Sequence, residues 1–153
     1  MDILVFDFKA SERNELLTLL SKKLYEMGYV KETYWKALLE REEKYPTGLV
    51  IKEDFNVAIP HADVEHVEKE ALVIVKTDRV VTFRKMDEQE VEIPVDVVFL
   101  LVIKEPKGYV KFLAKLTELF TNEEFIKMIQ HGTVKEISDY LRRNLLTLRL
   151  QQS

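Results

Sequence analysis

The chain has 153 residues, 23 of them basic and 27 acidic, a formal net charge of −4 and no cysteine. That length suits one domain with a sizeable core, the charge leaves no overall positive field for nucleic acid or anionic lipid, and the missing thiols exclude disulfides, thiolate metal sites and cysteine nucleophiles. With 46% hydrophobic and 33% charged residues and only four Gly and four Pro, disordered and collagen-like chains are excluded as well.

The first twenty residues include Asp2, Asp7, Glu12, Arg13 and Glu15, which is not the order of a signal peptide, and no apolar run reaches membrane-spanning length. The expectation is a cytoplasmic protein without direct membrane insertion. Asn14 to Met27 then sets Leu16, Leu17, Leu20, Leu24 and Met27 on one helical face, with Ser11 as cap and Gly28 as stop. A second helix is expected from an N-cap at Thr33, carrying Trp35, Leu38 and Leu39 inward and ended by Pro46. Its last turns hold Arg41, Glu42 and Glu43, and acidic groups there oppose the helix dipole.

From Leu49 the pattern changes to short β-type runs, at Leu49 to Ile51, Val57 to Ile59, Ala71 to Thr77, Val80 to Arg84, Val91 to Ile93 and Val95 to Ile103. The last of these, VDVVFLLVI, is apolar almost throughout, so it must be covered on both faces. Asp87 to Glu90 reads as an exposed turn. Helices return at about Tyr109 to Phe120, Asn122 to Gln130, and from Thr133 onward, with Gly132 as a stop between the last two. Two helices, several strands and three helices around a two-sided central strand predict an α/β fold: a single domain over 1–153, built as a three-layer αβα sandwich with a central mixed sheet flanked by helices.

The candidate chemistry lies in the middle of the chain. His61 follows Val57-Ala58-Ile59-Pro60, so a strand and a proline-restricted turn deliver an imidazole at a strand end. Taken alone, such a histidine is most often a structural cap. Arg41, Glu42, Thr47 and Gly48 bracket a tight helix-to-strand return that forms an anion cradle if it faces His61, although each residue alone has an ordinary surface or turn reading. His61, Asp63, Glu65 and His66 together offer four potential metal ligands, but strand-end spacing does not obviously converge them, and no metal is expected. His66 is a candidate to orient His61 from behind, or else a solvated loop residue. His131, just before Gly132, suits a helix C-terminus. No phosphate-binding glycine loop, dinucleotide fingerprint, metalloprotease helix or nucleophile-elbow serine occurs, so no cofactor is expected.

Leu38-Leu39-Glu40-Arg41-Glu42, Tyr45-Pro46-Thr47-Gly48 and Val57-Ala58-Ile59-Pro60-His61-Ala62, in that order, resemble the signature of the fructose/mannitol-type (type 2) EIIA domains of the bacterial sugar phosphotransferase system, over roughly Asn14 to Leu145. Phe55 to His61, His66 and the Lys104-Glu105-Pro106 turn are closer to the galactitol-specific branch. The resemblance implies that His61 accepts a phosphoryl group from HPr and passes it to a cysteine of a cognate EIIB, with the membrane subunit EIIC involved only indirectly. Arg41 would clamp the phosphoryl oxygens, and Thr47 with nearby amides would add hydrogen bonds. Many members carry a second active-site histidine where this chain has Tyr109, a candidate hydrogen-bond donor, which leaves the task of setting the His61 tautomer to His66 or an acidic group. An apolar collar around the site, including Ile59, is expected for transient partners. A regulatory EIIA-like protein, whose phosphorylation switches a binding partner, carries the same motif.

Overall fold

The architecture turns on strand β5 (Glu92–Val102). In its second half, Val98, Leu100 and Val102 enter one core and Val97, Phe99 and Leu101 the other, so helices must cover both faces. In the computed structural model, which describes residues 1–146, the sheet has the order β1 (Asp2–Phe6), β4 (Ala71–Arg84), β5, β3 (Phe55–Ala58) and β2 (Gly48–Lys52). The β1–β4 and β3–β5 pairs are parallel and the others antiparallel. Helices α1 (Arg13–Glu26) and α2 (Tyr34–Lys44) supply Leu16, Leu20, Tyr34 and Leu38 to the first core. Helices α3 (Pro106–Leu119), α4 (Glu123–His131) and α5 (Val134–Leu141) supply Leu116, Phe125, Ile129 and Ile137 to the second, and a π-helical turn (Arg142–Leu146) follows. The αβα sandwich with a mixed sheet is the architecture the sequence predicts. The part of the 1–153 span beyond residue 146 lies outside the described residues.

The structure departs from the sequence reading in several places. Strand β1 was not expected, because five residues next to acidic neighbours carry little signal. It exists through its pairing with β4, from Asp2 opposite Ala71 to Phe6 opposite Val75. The runs at Ala71 and Val80 form one strand, interrupted by a bulge in which Asp78 and Arg79 adopt positive φ angles of 51° and 64°. Arg79 donates at 2.9 Å to Asp96, which also accepts the Asn56 amide at 2.8 Å, so one carboxylate ties the bulge to β5 and β3. The runs at Val91 and Val95 likewise merge into β5 through Pro94.

Helix α2 is rotated by one residue from the expected phase: Tyr34 is fully buried and Trp35 is exposed. Met27 is also exposed, and Glu12 rather than Ser11 occupies the N-cap of α1. Helix α3 begins at Pro106, where a proline costs no hydrogen bond, so Tyr109 falls in its first turn. Asn122 caps α4 and a Thr133–Glu136 capping box starts α5, as local sequence signals of this kind should. The Asp87–Glu90 turn is exposed as expected.

Candidate functional site

His61 stands where two parallel neighbours, β3 and β5, reach their carboxyl ends, the region where open α/β sheets form ligand sites. Its backbone extends the ladder, bridging Leu101 in parallel while the Leu101 amide donates to the Pro60 carbonyl at 3.0 Å. Proline at position 60 thus removes a donor that the ladder does not need and restricts the approach to the histidine.

The imidazole is partly buried and held at both nitrogens. Nδ1 lies 3.1 Å from the Ile59 carbonyl oxygen, and Nε2 lies 2.9 Å from the Tyr109 hydroxyl, with the two rings tilted at 45° and 4.9 Å between centroids. A carbonyl oxygen only accepts, so Nδ1 carries the proton and Nε2 presents its lone pair to the Tyr109 O–H. Burial holds the His61 pKa below its ordinary value; the Ile59 carbonyl opposes that shift, the Arg41 charge adds to it, and Asp63 opposes it. The resting group is therefore a neutral imidazole with a defined nucleophilic nitrogen. Burial raises the Tyr109 pKa, keeping its hydroxyl a donor, while Arg41 acts in the opposite direction.

Arg41 reaches this site from α2. One terminal nitrogen, Nη1, meets Asp63 at 3.2 Å and the guanidinium lies 5.4 Å from the centroid of the Tyr45 ring. Its Nε is buried and, among the described residues, has no acceptor. A buried donor without a partner is unusual, and this N–H meets an incoming oxygen only when the guanidinium shifts to uncover it.

The return from α2 to β2 is fixed by Glu42. This carboxylate is buried and accepts the Thr47 amide at 2.7 Å and the Thr47 hydroxyl at 2.5 Å, while the Thr47 carbonyl accepts the Ile59 amide at 3.3 Å. Both Thr47 donors thus engage Glu42, and Thr47 acts on the site through the backbone that carries His61. Gly48 follows because a Cβ there would lie 2.5 Å from the Arg84 carbonyl oxygen.

His66 does not join His61. Its Nδ1 lies 2.8 Å from the Thr33 hydroxyl and its Nε2 3.4 Å from Glu65, so it ties the loop after His61 to the start of α2. Thr33 makes no side-chain cap on its own helix, its backbone lying in the helical and not the extended region. Ile59 is buried and forms no exposed collar; the exposed apolar groups next to the named site residues are Tyr45 and Val110. Among the described residues no group of three or more His, Asp or Glu side chains is placed to hold a metal ion, and no helix is long and apolar enough to cross a membrane.

The sequence places Glu42 in the helix-to-strand return and in the family motif, but as a charge opposing the helix dipole and not as a buried acid. Its spacing held the missed signal, since Tyr34, Leu38 and Glu42 lie four residues apart on the buried face of α2.

The family described as "Phosphoenolpyruvate-dependent sugar phosphotransferase system, EIIA 2" matches residues 2–144. The chain belongs to this family. The galactitol-specific EIIA component of Escherichia coli (strain K12) is 24% identical over 135 residues, covering 88% of this chain and 89% of that protein. A nitrogen regulatory protein of Bradyrhizobium diazoefficiens is 30% identical over 125 residues, covering 80% and 76%. The fold is shared with the complex of enzyme IIAMTL and phosphorylated enzyme IIBMTL from Escherichia coli, at a TM-score of 0.68 and 24% identity, covering 92% of this chain and 93% of that one. As an EIIA domain, the protein is a component of a phosphotransferase system.

The buried acid of this EIIA domain has a measurable signature. Burial raises the Glu42 pKa from about 4.5 to about 7, against the opposing effects of Thr47, Arg13 and Arg41. A carboxyl whose pKa is raised on folding contributes stability fully below its unfolded value and loses it as pH rises through its folded value. Stability should therefore fall between about pH 4.5 and 7 by on the order of 3 kcal/mol. Glu42→Gln copies the protonated acid, donating to the Thr47 hydroxyl and accepting its amide, and should flatten that slope in urea titrations across the same range. An unchanged slope in the variant would assign the pH dependence elsewhere.

Proposed function

We propose that this EIIA domain is a cytoplasmic phosphocarrier that takes a phosphoryl group from phospho-HPr onto His61 Nε2 and passes it to the cysteine of a cognate EIIB. The observation that carries the reading is the imidazole itself, with Nδ1 held by the Ile59 carbonyl, the Nε2 lone pair unprotonated and engaged only by the exchangeable Tyr109 hydroxyl, and the Arg41 charge beside it. Nδ1 keeps its proton throughout. On uptake, the Nε2–P bond forms as the donor's bond to phosphorus breaks and its electron pair returns to the donor. On release, a thiolate takes the phosphorus and the pair returns to Nε2.

The protein's tasks in such a transfer are alignment and charge stabilisation. Tyr109 holds the ring in the resting state and is placed to donate to a phosphoryl oxygen once phosphorus occupies Nε2. Arg41 supplies positive charge and its unpaired Nε–H. Galactitol or a related polyol or sugar is the proposed cargo of the system, on the likeness to the galactitol-specific component, with selection left to the membrane subunit EIIC. No cofactor, metal or nucleic acid enters this scheme, and the chain acts as one domain.

The test is intact-mass analysis after incubation with phosphoenolpyruvate, enzyme I and HPr. The expected result is a gain of one acid-labile phosphoryl group, with nitrogen NMR of the labelled imidazole placing it on Nε2, and its transfer to EIIB when that protein is added. No gain in the presence of active HPr would overturn the reading. The likeness to the nitrogen regulatory protein supports a second reading, in which phospho-His61 persists and switches a protein partner. Retention of the label in the presence of the cognate EIIB would favour it.

A further inference from the structure

The loop that carries His61 places a carboxylate two residues further on, and that carboxylate holds the site's arginine. Asp63 Oδ1 lies 3.2 Å from Arg41 Nη1, with 67% of the Asp63 side chain and 35% of the Arg41 side chain exposed. The pair is open to water, and such pairs are weak enough to exchange partners. Arg41 therefore stands beside His61 already engaged by an anion, but through only one of its nitrogens, while Nε waits without an acceptor.

We infer that Asp63 is a positioning residue that holds Arg41 in the unphosphorylated protein and competes with the phosphoryl group for it. The inference rests on the phosphocarrier reading above. A phosphoryl group on Nε2 offers Arg41 more charge and a second oxygen for its fork, so the guanidinium moves from Asp63 to the phosphoryl oxygens. Asp63 then lies unpaired near a group of like charge. Both effects oppose the phosphorylated state. The carboxylate thus limits how tightly the site binds its own phosphohistidine, and a carrier must release that group as readily as it takes it. Asp63 acts on the reacting atoms only through Arg41 and through space; the groups that face the imidazole are the Ile59 carbonyl, the Tyr109 hydroxyl, Arg41 and Asp63 itself.

The experiment is the equilibrium distribution of phosphate between HPr and this chain, read by phosphorus NMR with both proteins at known concentration. The ratio depends only on the free species, so a residue that merely touches HPr during docking alters rates and leaves it unchanged. Asp63→Asn is expected to shift the ratio toward the phosphorylated EIIA domain by roughly two- to fivefold, the upper part of the range for one exposed charge contact. Asp63→Glu should restore most of the original value. In an Arg41→Gln background most of the Asp63→Asn shift should disappear. In the unphosphorylated protein the same substitution should lower the His61 titration midpoint, because it removes the nearby negative charge. An unchanged ratio, or a full shift in the absence of Arg41, would overturn the role of Asp63 while leaving the phosphocarrier reading intact. A wild-type chain that takes no phosphate would overturn both.

Discussion

His61→Gln is expected to abolish phosphoryl uptake entirely, with the intact mass unchanged after incubation with the phosphorylated donor. The loss should be complete because nothing near Nε2 can take over. The chain has no cysteine, His66 is engaged by Thr33 and Glu65, and His131 ends α4 on another part of the fold. Glutamine retains a donor for the Ile59 carbonyl and a polar tip toward Tyr109, so the variant should stay folded, within about 1 kcal/mol of the parent in urea titrations. Full labelling of a folded His61→Gln protein would place the acceptor elsewhere and remove the mechanism proposed above.

Arg41→Gln should slow uptake by about 10²- to 10³-fold, the effect of losing one charged contact to a phosphoryl group, on the order of 3–4 kcal/mol in the transition state. Unlike the His61 variant, it should reach stoichiometric labelling on long incubation, because the nucleophile and its tautomer remain. Arg41→Lys should recover part of the rate, since it restores the charge but not the planar fork. The structural consequence should be small. Arg41 makes a solvent-open pair with Asp63 and lies over a half-exposed tyrosine, contacts that contribute little to stability. Single-turnover rates at saturating phospho-HPr would separate these cases. An Arg41→Gln rate within a few-fold of the parent would show that Arg41 does not stabilise the transferring group.

The variants at Glu42 and Asp63 report on a different level of the site. Glu42 acts on the turn that carries Thr47, and through the Thr47 carbonyl on Ile59 and the histidine beyond it. Asp63 acts on the arginine. Neither touches Nε2, so each is separated from the nucleophile by a readout of its own, a stability slope for Glu42 and a phosphate distribution for Asp63.

Much of the architecture was legible in the sequence because its causes are local. The run from Val95 to Ile103 announced a strand buried on both faces, and the periodicity of Leu16, Leu20 and Leu24 announced a helix that covers one of them. Thr133 and Asn122 marked helix starts because a cap is decided within one turn. Strand β1 was illegible for the opposite reason: its five residues form a strand only against β4, some seventy residues away. The phase of α2 was missed because Trp35 outweighs Tyr34 in apolar size, whereas the packed helix buries Tyr34 and Glu42 along the face that carries Leu38.

The site divides in the same way. The sequence by itself determined that an imidazole ends a strand after a proline, that an arginine closes the preceding helix, and that the motif in this order belongs to an EIIA domain. Those are properties of short segments, whose turns and residue types are set by neighbours in the chain. Only the tertiary structure decided that Tyr109, 48 residues on, meets Nε2, that Arg41 pairs with Asp63 across 22 residues, and that His66 belongs to Thr33 and not to His61. Such pairings depend on how α2 and α3 are carried around the carboxyl end of the sheet. That placement is set by burying apolar side chains across the two layers, a sum over many distant contacts that no single segment records.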